Sequence, residues 1–277
     1  MLDGDPDVPP IAQIKAATEV LSQPDASATV VKINERLAVK FGTRVSLAEA
    51  DTMRFISSNS RVPVPKVFAA FSEPETGINF IVMEFVPGST LQAAWDTLTA
   101  KERSEIAALV KDAMDELRSI KPPNYLGGIN HQPFSDGVFW VPDHNPAISG
   151  PFANQSDMNE GILERLRQSE PAPYVEFVRG LIEGTLHDHR TVLTHGDLQP
   201  KNIMINRIGT QEDGSGRFEI RLIDWEMAGW YPEFWEFCSA TIACRWKPNW
   251  LEMVRRILHQ YPNEYLLMQV IYSIVYC

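Results

Sequence analysis

Cysteine is scarce in this chain: Cys238, Cys244 and Cys277 make up the full set. No two of them form a C-x-x-C pair and the number is odd. A disulfide framework and a structural zinc site are therefore not expected, and free thiols in a reducing compartment are. Long apolar runs are also missing. The longest, residues 265–277, is interrupted by Gln269 and Ser273 and falls short of the roughly 20 residues a spanning helix needs. The opening MLDGDPDVPP has neither the basic start nor the apolar centre of a secretory signal, so a cytoplasmic location is expected, with no membrane partner. Basic residues are in the minority, 25 Lys and Arg against 36 Asp and Glu, for a net charge of −11. A broad nucleic-acid-binding face is not expected from that balance. Phosphate-binding glycine loops are absent too: no G-x-x-x-x-G-K-[ST] occurs, and no G-x-G-x-x-G precedes Lys40.

What the chain does have is globular composition, with 277 residues, 44% apolar and 22% charged, enough for one large domain or two lobes. Its first third reads mostly as strand. Residues 29–41 form two β-rich runs around Asn34-Glu35, a hairpin pattern. Leu47, Ala50, Met53 and Ile56 then recur at helical spacing, behind a Ser46-x-x-Glu49 capping pattern. Residues 78–85 read as a buried strand, and Pro87-Gly88 breaks the chain. After that, helix dominates. Ile106, Leu109, Val110, Ala113, Leu117 and Ile120 share one face. Residues 121–155 are rich in Pro, Gly and Asn and read as a long irregular insertion, of the kind that is usually functional or mobile. Further helices are expected near 157–168, near 173–187 and beyond 232. Between these last two lie short strands, with Gly209, Gly214 and Gly216 in a hairpin turn.

The chemistry concentrates in residues 194–224. Asp197 and Asn202 follow one short strand, and Asp224 ends another. Two carboxylates and an amide converging at strand ends are hard oxygen donors of the kind Mg²⁺ takes alongside substrate phosphates. The string His195-Gly196-Asp197-x-x-x-x-Asn202, followed by Ile223-Asp224, resembles the catalytic loop and metal aspartate of aminoglycoside phosphotransferase-type kinases. These are a small-molecule branch of the protein-kinase fold, in which protein kinases themselves carry H-R-D-x-x-x-x-N and D-F-G. The run 228–236, with Trp230, Tyr231, Pro232 and Glu236, resembles a fungal-type subgroup of that family.

The resemblance implies a bilobal α+β fold. Residues 1–88 would be a small β-rich lobe with the hinge at its end, and residues 89–277 a larger, mainly helical lobe with the catalytic loop and the acceptor region. It implies transfer of the γ-phosphoryl group of ATP, or GTP, to a hydroxyl of a small metabolite. Asp197 would act as catalytic base, and Asn202 and Asp224 would hold Mg²⁺. His195 would buttress the loop. Lys40 would contact the α- and β-phosphates and Glu49 would orient it, unless Glu49 serves only to cap its helix. Met83, Glu84, Phe85 and Val86 would form the hinge that meets the base. Trp230, Glu233 and Trp235 would help shape the acceptor side, although tryptophans are more often core. No obligatory protein partner is evident.

Three expectations stay open at this level. Without a glycine loop, the cover over the phosphates is short, absent, or built from Asn34-Glu35 and the N-terminal segment. The acidic excess lies mostly after residue 88, which favours a cationic acceptor such as an amino sugar, though acidic surfaces also serve solubility. The rival readings are a pseudokinase-type binding or scaffold module without turnover, and a kinase-like cleft turned to other small-molecule chemistry.

Overall fold

The computed structural model describes residues 6–24 and 26–276. The first five residues of the signal reading and the Cys277 thiol lie outside them. Cys238 and Cys244 are free, buried thiols.

The N-terminal region is built on a four-stranded antiparallel sheet. It contains β1 (Thr29–Lys32), β2 (Leu37–Gly42), β3 (Val67–Glu73) and β4 (Ile78–Glu84), in the order β1-β2-β4-β3. The strands are rich in Val, Ile and Phe, whose branched or flat side chains suit a pleated surface. Strand alternation divides them between two cores. Val31, Leu37, Val39, Phe80 and Val82 meet Ile14 of the short helix α1 (Ile11–Lys15). On the opposite face Ile81 packs with Met53 and Ile56 of α2 (Leu47–Asn59). Lys40, one residue beyond Val39, therefore points toward α2.

The β1–β2 turn is tied by the Asn34 side chain, whose Oδ1 accepts from the Arg36 and Leu37 amides at 2.8 and 3.0 Å. The turn lies at the hinge end of the sheet, where the Phe85 amide donates to the Arg36 carbonyl at 3.0 Å. Asn34-Glu35 thus lies beside Phe85, away from the Gly42 end of β2. At the other end of β1, the chain before it folds back antiparallel, with the Leu21 amide on the Val30 carbonyl at 2.8 Å and a Val20–Val31 bridge. Ser27 and Ala28, just before β1, are the residues that reach the Gly42 end of β2.

Gly88 lies at the crossing into the helical region. Its φ is 101°, and a Cβ there would stand 2.1 Å from the Ile205 carbonyl oxygen. β5 (Ser89–Thr90) pairs with β7 (Ile203–Thr210), which pairs with β8 (Gly216–Leu222). The short helix α3 (Leu91–Ala94) leads to α4 (Ala100–Ser119), opened by a full capping box between Thr99 and Glu102. α5 (Pro146–Ser149), α6 (Gln155–Leu166) and α7 (Ala172–Thr185) follow. β6 (Thr191–Thr194) pairs with β9 (Gly229–Pro232), and α8 (Trp235–Ala243), α9 (Pro248–Ile257) and α10 (Pro262–Val275) complete the region.

The insertion 121–155 has little regular structure but is well packed. Phe134, Val138, Phe139, Ile148 and Phe152 are buried, and Phe139 stacks on Phe134 and Trp235 with ring centroids 4.7 and 5.3 Å apart. Its length marks a wall rather than a mobile flap.

Candidate functional site

Two short pairings set the site. β6 delivers residues 195–202 at its C-terminal end, and β8 delivers Asp224 just past its own. The Ile223 amide donates to the Asn202 carbonyl at 3.0 Å, which ties the two segments together. His195 is fully buried. Its Nε2 meets the Ile223 carbonyl at 3.0 Å and its Nδ1 accepts from the Asp197 amide at 3.3 Å, so the ring is an internal strut. Gly196 has φ 83°, and a Cβ would come within 2.5 Å of the Met227 carbonyl oxygen. Only glycine fits there without strain. Beneath the loop, the buried Glu236 carboxylate accepts from the His195 amide at 2.6 Å and the Gly196 amide at 3.2 Å. The sequence showed Glu236 only as part of a family-like tail; its use as the loop's anchor comes from the structure.

The Asp197 carboxylate is met by several donors. Asn202 Nδ2 reaches Oδ2 at 2.8 Å and the Asp197 carbonyl at 2.8 Å. Gln199 donates to Oδ1, and Lys201 Nζ stands 3.1 Å from Oδ2. The 3-10 turn Pro200–Asn202 brings Lys201 back over the aspartate. With its amide nitrogen held this way, Asn202 offers its carbonyl oxygen as the remaining donor atom.

Across the cleft, Lys40 Nζ forms close ion pairs with Glu49 Oε2 and Asp224 Oδ1, each at 2.7 Å, and lies 3.6 Å from Glu226 Oε2. The capping alternative for Glu49 is not what forms: the Ser46 side chain accepts from the Ala48 amide, while Glu49 turns inward to Lys40 and the Trp225 amide. Burial pulls the Lys40 ammonium down, but Glu49, Asp224 and Glu226 outweigh it and hold its pKa above the ordinary lysine value. Burial pushes Asp224 up; Lys40, then Lys201 and His195, pull harder and hold it below the usual carboxylate range. Glu49, nearly enclosed, is pushed up to about 7 by burial despite Lys40. Asp224 itself has left-handed backbone, φ 66°, a conformation uncommon outside glycine.

The carboxylates of Glu49, Asp224 and Glu226 come within 4.8 Å of one another, but the Lys40 ammonium already occupies the space among them, paired to Glu49 and Asp224. The donor pair that fits Mg²⁺ is the other one. Asn202 offers its carbonyl oxygen, and Asp224 keeps the oxygen that Lys40 does not take; both are the hard ligands magnesium prefers.

Of the residues expected at the hinge, Met83 is in β4, opposite Ala38 and Val67. Glu84, Val86 and Pro87 line a cavity of about 120 Å³ shared with Met204 and Arg221 of the β7–β8 hairpin. Phe85 lies under Lys32 Nζ, 4.4 Å from its ring centroid. Met204 carried no sequence signal, because it differs from its strand neighbours only in facing this cavity.

A second cavity, about 400 Å³, opens beside Asp197. None of Trp230, Glu233 and Trp235 is among its lining residues. Trp230 is 2% exposed and takes part in the β6–β9 pairing. Trp235 is fully buried and donates through Nε1 to Asp136 at 3.1 Å. Glu233 turns away, toward Arg190, with 2.6 Å between Oε2 and Nη2. Besides Gly196, Asp197 and Met227, the lining residues come from α8, α10, the residues just after each of them, and Asp136 of the insertion; of the whole lining, sequence reading singles out Asp197 and its neighbour Gly196.

Arranged in this way, the chain has the build of a protein-kinase-like phosphotransferase, with a small sheet set against a helical lobe and paired carboxylates at their junction. It belongs to the phosphotransferase enzyme family, of the aminoglycoside phosphotransferase type, whose model matches residues 20–267. The fold is similar to that of aminoglycoside phosphotransferase APH(4)-Ia in its ternary complex with AMP-PNP and hygromycin B, with a TM-score of 0.59 and 15% identity over 94% of this chain and 87% of that one. The streptomycin–ATP complex of APH(2'')-IIa gives a TM-score of 0.57 at 18% identity, covering 97% of this chain and 90% of that one. Among curated proteins, a subtelomeric hrmA-associated cluster protein of Aspergillus fumigatus is 29% identical over 110 residues, which is 39% of this chain and 21% of that protein. The match thus spans about a fifth of that relative's length. Among the described residues no helix is long and apolar enough to cross a membrane.

Proposed function

We propose that this protein is an ATP- and Mg²⁺-dependent phosphotransferase that acts on a hydroxyl of a small metabolite, with the nucleotide between residues 1–88 and residues 89–277. The observation that carries the reading is the convergence of Asp197, Asn202 and Asp224 at two strand ends, facing the Lys40–Glu49 pair across the cleft. Lys40 binds the α- and β-phosphates, and Glu49 keeps it aimed. Met83, Glu84, Phe85 and Val86 present backbone to the base, and Met204 supplies a surface beneath it. Asn202 and Asp224 hold the metal, which when bound neutralises charge on the phosphates.

Asp197 orients the acceptor hydroxyl and takes its proton as that oxygen bonds to the γ-phosphorus. The bond from the γ-phosphorus to the bridging oxygen breaks, and ADP leaves. Lys201, beside Asp197, sits where it can follow charge on the transferring group. Little covalent chemistry is left to the protein in such a step, since positioning and charge neutralisation dominate.

The test is calorimetric titration with ATP, with and without Mg²⁺, on the wild type and Asp224→Ala, followed by mass spectrometry of candidate acceptors. Metal-dependent binding lost in the variant, and products heavier by one phosphoryl group, are expected. Metal-dependent binding with no transfer to any acceptor would favour a binding module without turnover; equal Mg-ATP affinity in both proteins would overturn the metal assignment.

A further inference from the structure

The cavity at Asp197 has a chemical character of its own. Its walls are largely apolar and aromatic: Met227, Ile242 and the rings of Tyr272 and Tyr276, which stack at 5.5 Å between centroids. Three charged residues line it, Asp197, Asp136 and Arg245. Asp136 is 4% exposed, and its oxygens are already engaged. Oδ1 accepts from the Val138 amide at 2.8 Å, and Oδ2 accepts from Trp235 Nε1 at 3.1 Å and the Tyr272 hydroxyl at 3.2 Å. It is a structural carboxylate, holding the insertion to α8 and α10. Asp197 is met by Asn202, Gln199 and Lys201. Among the described residues, the charged group of the lining with no carboxylate against it is the Arg245 guanidinium, exposed and stacked over the Trp246 ring at 5.0 Å.

An acceptor carrying several ammonium groups would set them against apolar walls and the Arg245 cation. Charges moved from water need partners, and this cavity offers an ammonium few. The acids that do reach this wall, Asp136 and Asp197, already have donors of their own within the protein.

We infer that the acceptor is a hydroxyl compound with an aromatic or aliphatic body and an anionic group that pairs with Arg245, not a polyamine sugar. The inference rests on the phosphotransferase reading above for its orientation, hydroxyl toward Asp197. The preference of the cavity for anionic over cationic molecules can be measured independently of turnover.

Two probes of the same shape separate the cases: 4-(hydroxymethyl)benzoate and 4-(hydroxymethyl)benzylamine, titrated calorimetrically into the full chain with and without Mg-ATP. The benzoate is expected to bind about tenfold tighter than the amine, the scale of one partly desolvated charge pair. Arg245→Gln should bring the two within about threefold of each other, and Ala243→Asp, at an exposed wall position, should reverse the order. Mg-ATP affinity, measured on each variant, reports that it is folded. An amine bound as tightly as the benzoate, hygromycin B displacing both probes, or no binding of either probe would overturn the inference. A benzoate preference without phosphoryl transfer to anything would instead sink the phosphotransferase reading and leave the character of the cavity standing.

Discussion

Asp197 and its immediate neighbours carry the sharpest consequences at the residue scale. Asp197→Asn keeps the shape and the Asn202 contact region but removes the carboxylate proposed as proton acceptor. Turnover should fall by about 10²–10⁴, the usual worth of such a group, with Mg-ATP affinity kept. Activity near wild type in steady-state assays would refute its role. Gly196→Ala meets a backbone obstacle rather than a chemical one. A left-handed alanine costs roughly 1–2 kcal/mol, and the Met227 carbonyl must also move, so the melting temperature should drop by at least about 3 °C. Asp136 gives a pH signature. Burial raises its pKa despite its three donors. An acid whose folded value exceeds its unfolded one withdraws stability as pH climbs from about 4 through the raised value. Denaturant titrations from pH 4 to 8 should therefore show a more negative slope of unfolding free energy in wild type than in Asp136→Asn. Identical slopes would show that the carboxyl is not raised.

At the scale of elements, the insertion 121–155 bears on stability as much as on the site. Phe139 is fully buried between Phe134 and Trp235, so Phe139→Ala should cost about 3–5 kcal/mol. Hydrogen exchange in this segment should be slow in wild type and fast in the variant. Exchange that is already fast in wild type would contradict the packing described. The same segment shows where sequence reading stops. The β1–β2 hairpin, α2 and α4 were legible because their apolar residues repeat at strand or helix spacing. Lys40 and Glu49 were legible as a pair through the family pattern, and the structure resolved the competition between cap and ion pair. Asp136 was not legible, since one acid in an irregular run has no period to expose it and its burial depends on Tyr272, which is distant in sequence. Trp230 and Trp235 stood near Asp224 in sequence, but β9 and α8 turn their side chains into the core.

On the scale of the whole molecule, the two regions share one apolar core, in which Met53 and Ile56 of α2 belong with Ile106 and Trp225, and polar contacts cross between them as well. Lys40 reaches Asp224 at 2.7 Å, the Trp225 amide reaches Glu49 at 3.3 Å, and the Leu222 amide reaches the Pro63 carbonyl at 2.8 Å. A nucleotide that binds between the regions adds its own bridge. At about a hundred times its Kd, Mg-ATP should stabilise the fold by about 2.7 kcal/mol, seen as a rise of several degrees in melting temperature. Asp224→Ala should lose the metal-dependent part of that rise. An equal rise in both proteins, or none in the wild type, would place the nucleotide elsewhere.

The order of the chain divides two tasks. The residues proposed to face the phosphates run from Lys40 to Asp224, while most of the wall around the second cavity comes after them, from Met227, α8 and the end of α10. Changes in the last fifty or so residues can therefore redraw what is accepted while the donor side stays as it is. A lineage carrying this chain has a way to try new acceptors one wall residue at a time, without putting its energy source at risk.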